Sequence, residues 1–414
     1  MSFDVVLDGL LTVEDHIKDI PLDVPYKAEQ ESLEKAKELF LKWLDIYRIY
    51  TNGYRQEIIS RTDRYAIRML SSFTSDLESQ IRDVFEARIP GEAYLLIYDF
   101  FKPYRESPQY FVLSEYKEFK QTTIADLLTD KLKEMTVPRP SRGSANIDIT
   151  IRDIKNRNIP VIRYDRAQFD NVLSWPLLLH EAFHCLYNLV GLNALAKDYP
   201  GIEWLKEALI DIYVVNYFGP AYALSLATYL QKYPHEKTIS HLSFISRIFI
   251  ALQYLERAQR EKNLPPPVGQ HVTDVFEYLK NVWDQHKEAD PREVQEQVAK
   301  IYDGTEGKVK KLMSGATDPF AEFLSKTEKK RLEAFKKGGF EFAENQTLSI
   351  SDVMEYFQAG IPAAADPRII FNAFTSRKSQ NMIHDPKTRI FIVESLKKWH
   401  LKNAWSEAKA RSSQ

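Results

Sequence analysis

His180-Glu181-Ala182-Phe183-His184 lies inside the apolar run Trp175 to Leu189, and this pairing strongly restricts what that part of the chain can become. Positions four apart share a helix face, so on a helix both imidazoles reach one ion. Glu181 then lies beside them, aimed at a water on that ion. The flanking Leu177, Leu178, Leu179, Leu186 and Leu189 predict a buried helix. Burying two imidazoles and a carboxylate among leucines is costly unless they are paired or bind a metal. Ser174 as N-cap and Pro176 in the first turn would start the helix and set His180 and His184 well inside it. The plain alternative is a helix with two ordinary histidines.

A zinc site needs a third protein ligand and an open position. Ile202 to Val215 reads as a second buried helix, ended by Gly219-Pro220. On it Glu207 and Asp211 stand four apart, a spacing at which like charges repel, among leucine, isoleucine and valine. Either they form a solvated edge, with Lys206 pairing one acid, or a metal and a histidine proton neutralise them. On the second reading Glu207 is the third ligand. Asp211 then holds the far nitrogen of His180 or His184.

HExxH followed by a glutamate on a later helix resembles the gluzincin pattern of zinc peptidases. Glu207-Ala208-Leu209-Ile210-Asp211 is similar to the ExxAD box of the group that includes the CAAX-prenyl endopeptidases and the bacterial heat-shock membrane peptidases, with Ile210 where that box has alanine. His241 to Arg247 has the spacing of that group's downstream HPxxxxR element, with Leu242 in place of the proline. The resemblance spans about Ser174 to Arg247. It implies a zincin-like core, zinc held by His180, His184 and Glu207, and Glu181 as general base. It also implies that His241 and Arg247 bind the substrate carbonyl or steady the site. Those relatives are membrane-embedded, whereas this chain has no run of about twenty uncharged apolar residues. The closer parallel is a soluble metallopeptidase with the same core. Met1 to Pro21 carries Asp4, Asp8, Glu14, Asp15 and Asp19 and does not read as a signal peptide.

Bulk properties narrow the remaining classes. A chain of 414 residues with 44% hydrophobic and 12% aromatic content is globular and long enough for two or three cores. A net charge of −2 supplies no field for nucleic acid. The single cysteine, Cys185, excludes an internal disulfide and suits a reducing cytosol, so a cytoplasmic location is expected. One residue beyond His184 it points away from that ring, as a small core residue.

The expected architecture is mainly α, a zincin-like core with a small β-sheet flanked by helical regions. The boundaries run 1–140, 146–260 and 268–414. Helical spacing marks Tyr26 to Tyr50, Gly53 to Arg88 and Ile124 to Met135 before a linker at Pro138 to Ser144. Ile147 to Ile151 alternates, and Ile159 to Tyr164 is β-branched, so both read as strands. By the gluzincin resemblance they would supply an edge strand for substrate backbone; a structural hairpin is the alternative. Pro220 to Leu230 and Ser240 to Glu256 read as helices, and Asn263 to Pro267 breaks the chain. Val272 to His286 and Pro291 to Met313 follow as helices, with a break expected at Gly304 or Gly307. Lys326 to Lys337 reads as a solvated helical face, and Gly360 to Pro367 as a loop between helices.

The function expected from these residues is zinc-dependent hydrolysis of a peptide or protein substrate. His241, Tyr213 or Tyr217 is the candidate oxyanion helper. No nucleic-acid partner and no membrane span are expected, and the oligomeric state stays open. The rival is a regulatory or scaffold protein that keeps a metal site and cleaves little. Glu181 argues against it, because a purely structural zinc gains nothing from a buried acid outside its ligand set.

Overall fold

The computed structural model describes residues 2–22, 24–57, 63–85, 91–101, 110–116, 120–134, 140, 143–157, 159–165, 171–230, 242–261, 266–289, 292–312, 348, 350–375 and 385–412. The chain is mainly helical, with one three-stranded sheet, and falls into two compact units. Residues 1–94 and 108–166 form the first, and residues 95–107 and 167–414 the second.

In the first unit, helices α1 (Phe3–Asp19), α2 (Lys27–Glu57), α3 (Asp63–Phe85), α5 (Ile124–Glu134) and α6 (Ser144–Asn156) pack together, with α2, α3 and α5 against the sheet. Helix α4 (Gly91–Phe101) lies between α3 and the first strand in the chain, and Ala93 to Tyr98 is helical within it. The core grows from the α2 face Phe40, Trp43, Leu44 and Tyr47, spaced as one side of a helix. Phe40 stacks on Trp43 with ring centroids 5.7 Å apart and meets Phe85 edge-on at 5.6 Å. The Thr123 side chain caps α5, accepting from the Asp126 backbone N–H at 3.0 Å and pairing with the Asp126 carboxylate at 2.7 Å.

The sheet corrects the expected strand pair. Strands β1 (Val112–Tyr116), β2 (Lys120–Thr123) and β3 (Pro160–Asp165) run in the order β1-β3-β2, with β3 parallel to β1 and antiparallel to β2. Ile147 to Ile151 is no strand but the first part of α6. The reason is spacing: Ile147, Ile151 and Ile154 share one helical face and pack on the core. Ile149, between them, is 62% exposed. With both sides of β3 occupied by neighbours, it is not an edge strand. It also belongs to the first unit, whereas the motif helix belongs to the second.

In the second unit, a 3-10 turn (Val172–Leu177) leads into α7 (Leu178–Leu186), which carries the motif. Ser174 is not the N-cap: α7 follows Leu177 with no side-chain cap, and the 3-10 turn before it is capped by Asn171, whose side chain accepts from the Leu173 N–H at 3.2 Å. Ser174 instead lies inside the turn and donates to the Asn171 carbonyl at 2.7 Å. Pro176 sits in the 3-10 segment, which brings the chain into α7 two residues before His180.

Helices α8 (Leu192–Ala196), α9 (Leu205–Phe218), α10 (Pro220–Leu230), α11 (Phe244–Glu261) and α13 (Arg292–Leu312) follow, with α12 (Pro266–His286) between the last two. Of α9, every residue but Lys206 is buried, including Glu207, Asp211 and Asn216. It packs against α7, α8, α10, α11 and α13, as a helix apolar on all sides must. It ends at Gly219, with φ 84° and ψ −154°, a conformation open to glycine and strained for other residues.

The expected break in α13 does not occur. The helix runs through Gly304 and Gly307, and a Cβ at 304 would collide with the Tyr199 hydroxyl, so glycine at 304 serves close approach. Helices α14 (Ile350–Gln358), α15 (Pro367–Asn372) and α16 (Pro386–Ser412) complete the unit. Gly360 to Asp366 is a loop between α14 and α15, with Ala363, Ala364 and Ala365 buried. Residues 326–337 lie outside the described residues. No described helix is long and apolar enough to cross a membrane.

Candidate metal centre

Helix α7 presents His180 and His184 with ring centroids 5.0 Å apart and planes at 82°. One donor atom each from His180, Glu181 and His184 lie within 4.8 Å of one another, a group that could hold a metal ion. Helix α9 adds Glu207. Its Oε2 lies 2.9 Å from His180 Nε2 and its Oε1 3.5 Å from His184 Nε2. In a tetrahedral site with bonds of about 2.0–2.1 Å, neighbouring ligand atoms stand roughly 3.3 Å apart. The two observed separations lie on either side of that edge, and the shorter is also a hydrogen bond between His180 and Glu207.

Behind His180 lies a second layer. Its Nδ1 is 2.9 Å from Asp211 Oδ1, and Asp211 follows Glu207 by one turn of α9. Arg247, on α11, grips Asp211 with two bonds, Nε to Oδ2 at 2.6 Å and Nη2 to Oδ1 at 2.8 Å. The Tyr222 hydroxyl, on α10, donates to the same Oδ1 at 2.6 Å. Arg247 Nη2 and the Tyr222 hydroxyl also approach His180 Nδ1, at 3.2 and 3.3 Å.

The charges follow from these contacts. Burial and the Arg247 charge push the His180 imidazole down, but Asp211 and Glu207 outweigh them and raise its pKa to about 9. Burial pushes the Glu207 carboxyl up, yet its bonds to His180 and His184 hold it well below the ordinary range. Asp211 is likewise held low, its burial overcome by Arg247 and His180. Burial and the Asp211 charge keep the Tyr222 phenol protonated, far above its usual pKa. Without an ion, Asp211 is thus balanced by the Arg247 guanidinium and Glu207 by the raised His180 imidazole, while Glu181 adds a third carboxylate beside them.

The remaining candidates divide clearly. Cys185 stands outside the cluster, and burial with the Glu181 charge pushes its thiol up to about 12. Tyr213 is fully buried and stacks on Phe183 at 4.0 Å, and Tyr217 lies under the Arg368 guanidinium at 5.0 Å. Both are packing residues of the second unit. His241 lies outside the described residues. Sequence reasoning missed Tyr222, which has no spacing signal relative to the motif; only the reversal at Gly219-Pro220 brings it to Asp211.

No family model matches this chain, nor does any curated protein or solved structure. The His180-Glu181-His184 group in a mostly helical chain is compatible with a zincin-like site.

Proposed function

We propose that the chain is a zinc-dependent peptide hydrolase. The observation that carries this reading is the convergence of both motif imidazoles on Glu207, with the Glu181 carboxylate in the same cluster of donor atoms. A merely structural site has no use for that fourth group. His180, His184 and Glu207 would hold the ion. When bound, zinc polarises a carbonyl and lowers the pKa of a coordinated water toward ~7.

The chain's own residues supply the rest. Glu181 takes the proton of the attacking water at its carboxylate and passes it to the leaving amine. Asp211 accepts a hydrogen bond from the Nδ1–H of His180, which leaves Nε2 with a lone pair for the ion. Arg247 cancels the Asp211 charge, so that Glu207 and Glu181 alone face the cation across the site.

The test is metal analysis of the purified intact chain beside Glu181→Gln, with both screened on a peptide library. About one zinc in each and hydrolysis only by the wild type is expected. No bound metal in the wild type, or equal cleavage by the two proteins, would overturn the reading. Zinc in both with cleavage by neither would favour a binding or scaffold role.

A further inference from the structure

The back face of His180 poses a tautomer problem. In one tautomer Nδ1 carries the proton and donates to Asp211, which leaves Nε2 free for an ion. In the other Nε2 carries the proton, and Nδ1 accepts from a neighbour. Two neighbours could serve the second form. Arg247 Nη2 lies at 3.2 Å and the Tyr222 hydroxyl at 3.3 Å. Arginine donates only, and a phenol can donate.

Both donors have a nearer acceptor. Arg247 Nη2 is 2.8 Å and the Tyr222 hydroxyl 2.6 Å from Asp211 Oδ1. With Arg247 Nε on Oδ2 at 2.6 Å and His180 Nδ1 on Oδ1 at 2.9 Å, Asp211 accepts four contacts, about the capacity of a carboxylate. Donors committed to Asp211 do not compete for the His180 lone pair.

The placement of Tyr222 is itself fixed. Asn372, buried on α15, donates to the Phe218 carbonyl at 2.7 Å and accepts from the Ala221 N–H at 2.8 Å. It thereby clasps both sides of the Gly219-Pro220 reversal and sets where the first turn of α10 starts. Ser225, one turn on, donates to the Leu173 carbonyl just ahead of the motif helix.

We infer that Tyr222 is a positioning residue of the metal centre: its hydroxyl locks the Asp211 carboxylate in the orientation that keeps His180 Nδ1 a donor and Nε2 a ligand. The inference rests on the metal reading above. Tyr222 acts through Asp211 and touches neither ion nor substrate.

The test uses the full chain, zinc and cobalt(II) as probes, and Tyr222→Phe. Zinc affinity, measured by competition with a chromophoric chelator on the folded protein, should fall about three- to tenfold, less than the ten- to hundredfold typical of a ligand's direct partner. The visible bands of the cobalt-loaded protein should shift, which a residue serving only the fold would not cause. Equal zinc affinity and equal cobalt bands overturn the role of Tyr222 while leaving the metal site intact. A wild type that binds neither ion sinks the metal reading and this inference with it. Should Tyr222→Phe fail to fold, the zinc-loaded wild type labelled at histidine nitrogen and tyrosine decides. A His180 Nδ1–H and a slowly exchanging Tyr222 hydroxyl proton are expected; a proton on Nε2, or a freely exchanging hydroxyl, overturns the inference.

Discussion

Replacing Arg247 with methionine removes a guanidinium from a buried pair and keeps most of the apolar stem. Asp211 is then left in a dry site with only the His180 imidazole and the Tyr222 hydroxyl as partners. Breaking a buried pair in this way costs about 3–5 kcal/mol. Two features place this case at the low end. The Arg247 side chain keeps 16% of its surface exposed, and Tyr222 and His180 still donate to Asp211. The expected loss is therefore about 3 kcal/mol, near the sum of two charge-assisted bonds at the lower end of their range. For a cooperative unit of 150–250 residues this corresponds to a fall in Tm of roughly 6–12 °C.

The assay is urea unfolding of the metal-free intact chain, followed by circular dichroism, with Arg247→Met, Asp211→Asn and the double variant compared. Each single change strands a partner in the interior, so the double variant should lose about 1–3 kcal/mol less than the two singles added. A loss under about 1 kcal/mol for Arg247→Met would make this an ordinary exposed ion pair. Strict additivity would show that the two residues do not meet as described. Either result refutes the picture of a charge-balanced layer behind His180.

Glu207→Ala should abolish stoichiometric zinc binding while circular dichroism stays helical; a full complement of zinc in the purified variant would remove Glu207 from the ligand set. Asn372→Ala leaves the Phe218 carbonyl and the Ala221 N–H without the partner they have here, at about 1–3 kcal/mol each, and chemical denaturation of that variant should show at least the lower figure. Burial pushes the Glu306 carboxyl up, but Lys310 and Arg257 hold it below its ordinary value. The unfolded chain then takes up that proton at a higher pH than the folded one, so the stabilisation is whole above the ordinary carboxylate range and is lost as pH falls through the folded value. Glu306→Gln should flatten the acid limb of the stability profile, and an unchanged limb would show that the pairing carries no pH dependence.

Much of the helical framework could be read before any coordinates, and the reason is local. The Gly219-Pro220 pair ends α9 in one residue, because Gly219 adopts a backbone that other residues avoid and proline next to it opens a new helix. The α2 stripe of Phe40, Trp43, Leu44 and Tyr47 announces its buried face by spacing alone. Where tertiary packing decides, spacing failed. Five residues from Ile147 fit a period of two as well as they fit half of a helical face, and only Ile154, three residues past the run's third isoleucine, shows which face is buried. Gly304 signals a break locally, yet the approach of Tyr199 from over a hundred residues earlier gives it a place inside an unbroken helix.

The candidate centre divides the same way. His180, His184, Glu207 and Asp211 stand on two helices at a spacing of four, so one helical period brings each pair to a common face, and Arg247 joins them from α11. Tyr222 and Asn372 have no such period. Tyr222 reaches Asp211 only because the chain reverses between α9 and α10, and Asn372 meets that reversal from about 150 residues away. A motif therefore names the groups that meet an ion but not those that hold them still. In this chain the second set reaches into α15, so a fragment ending after α11 would retain His180, Glu181, His184, Glu207, Asp211 and Arg247 and still lack the Asn372 clasp on the turn that sets Tyr222.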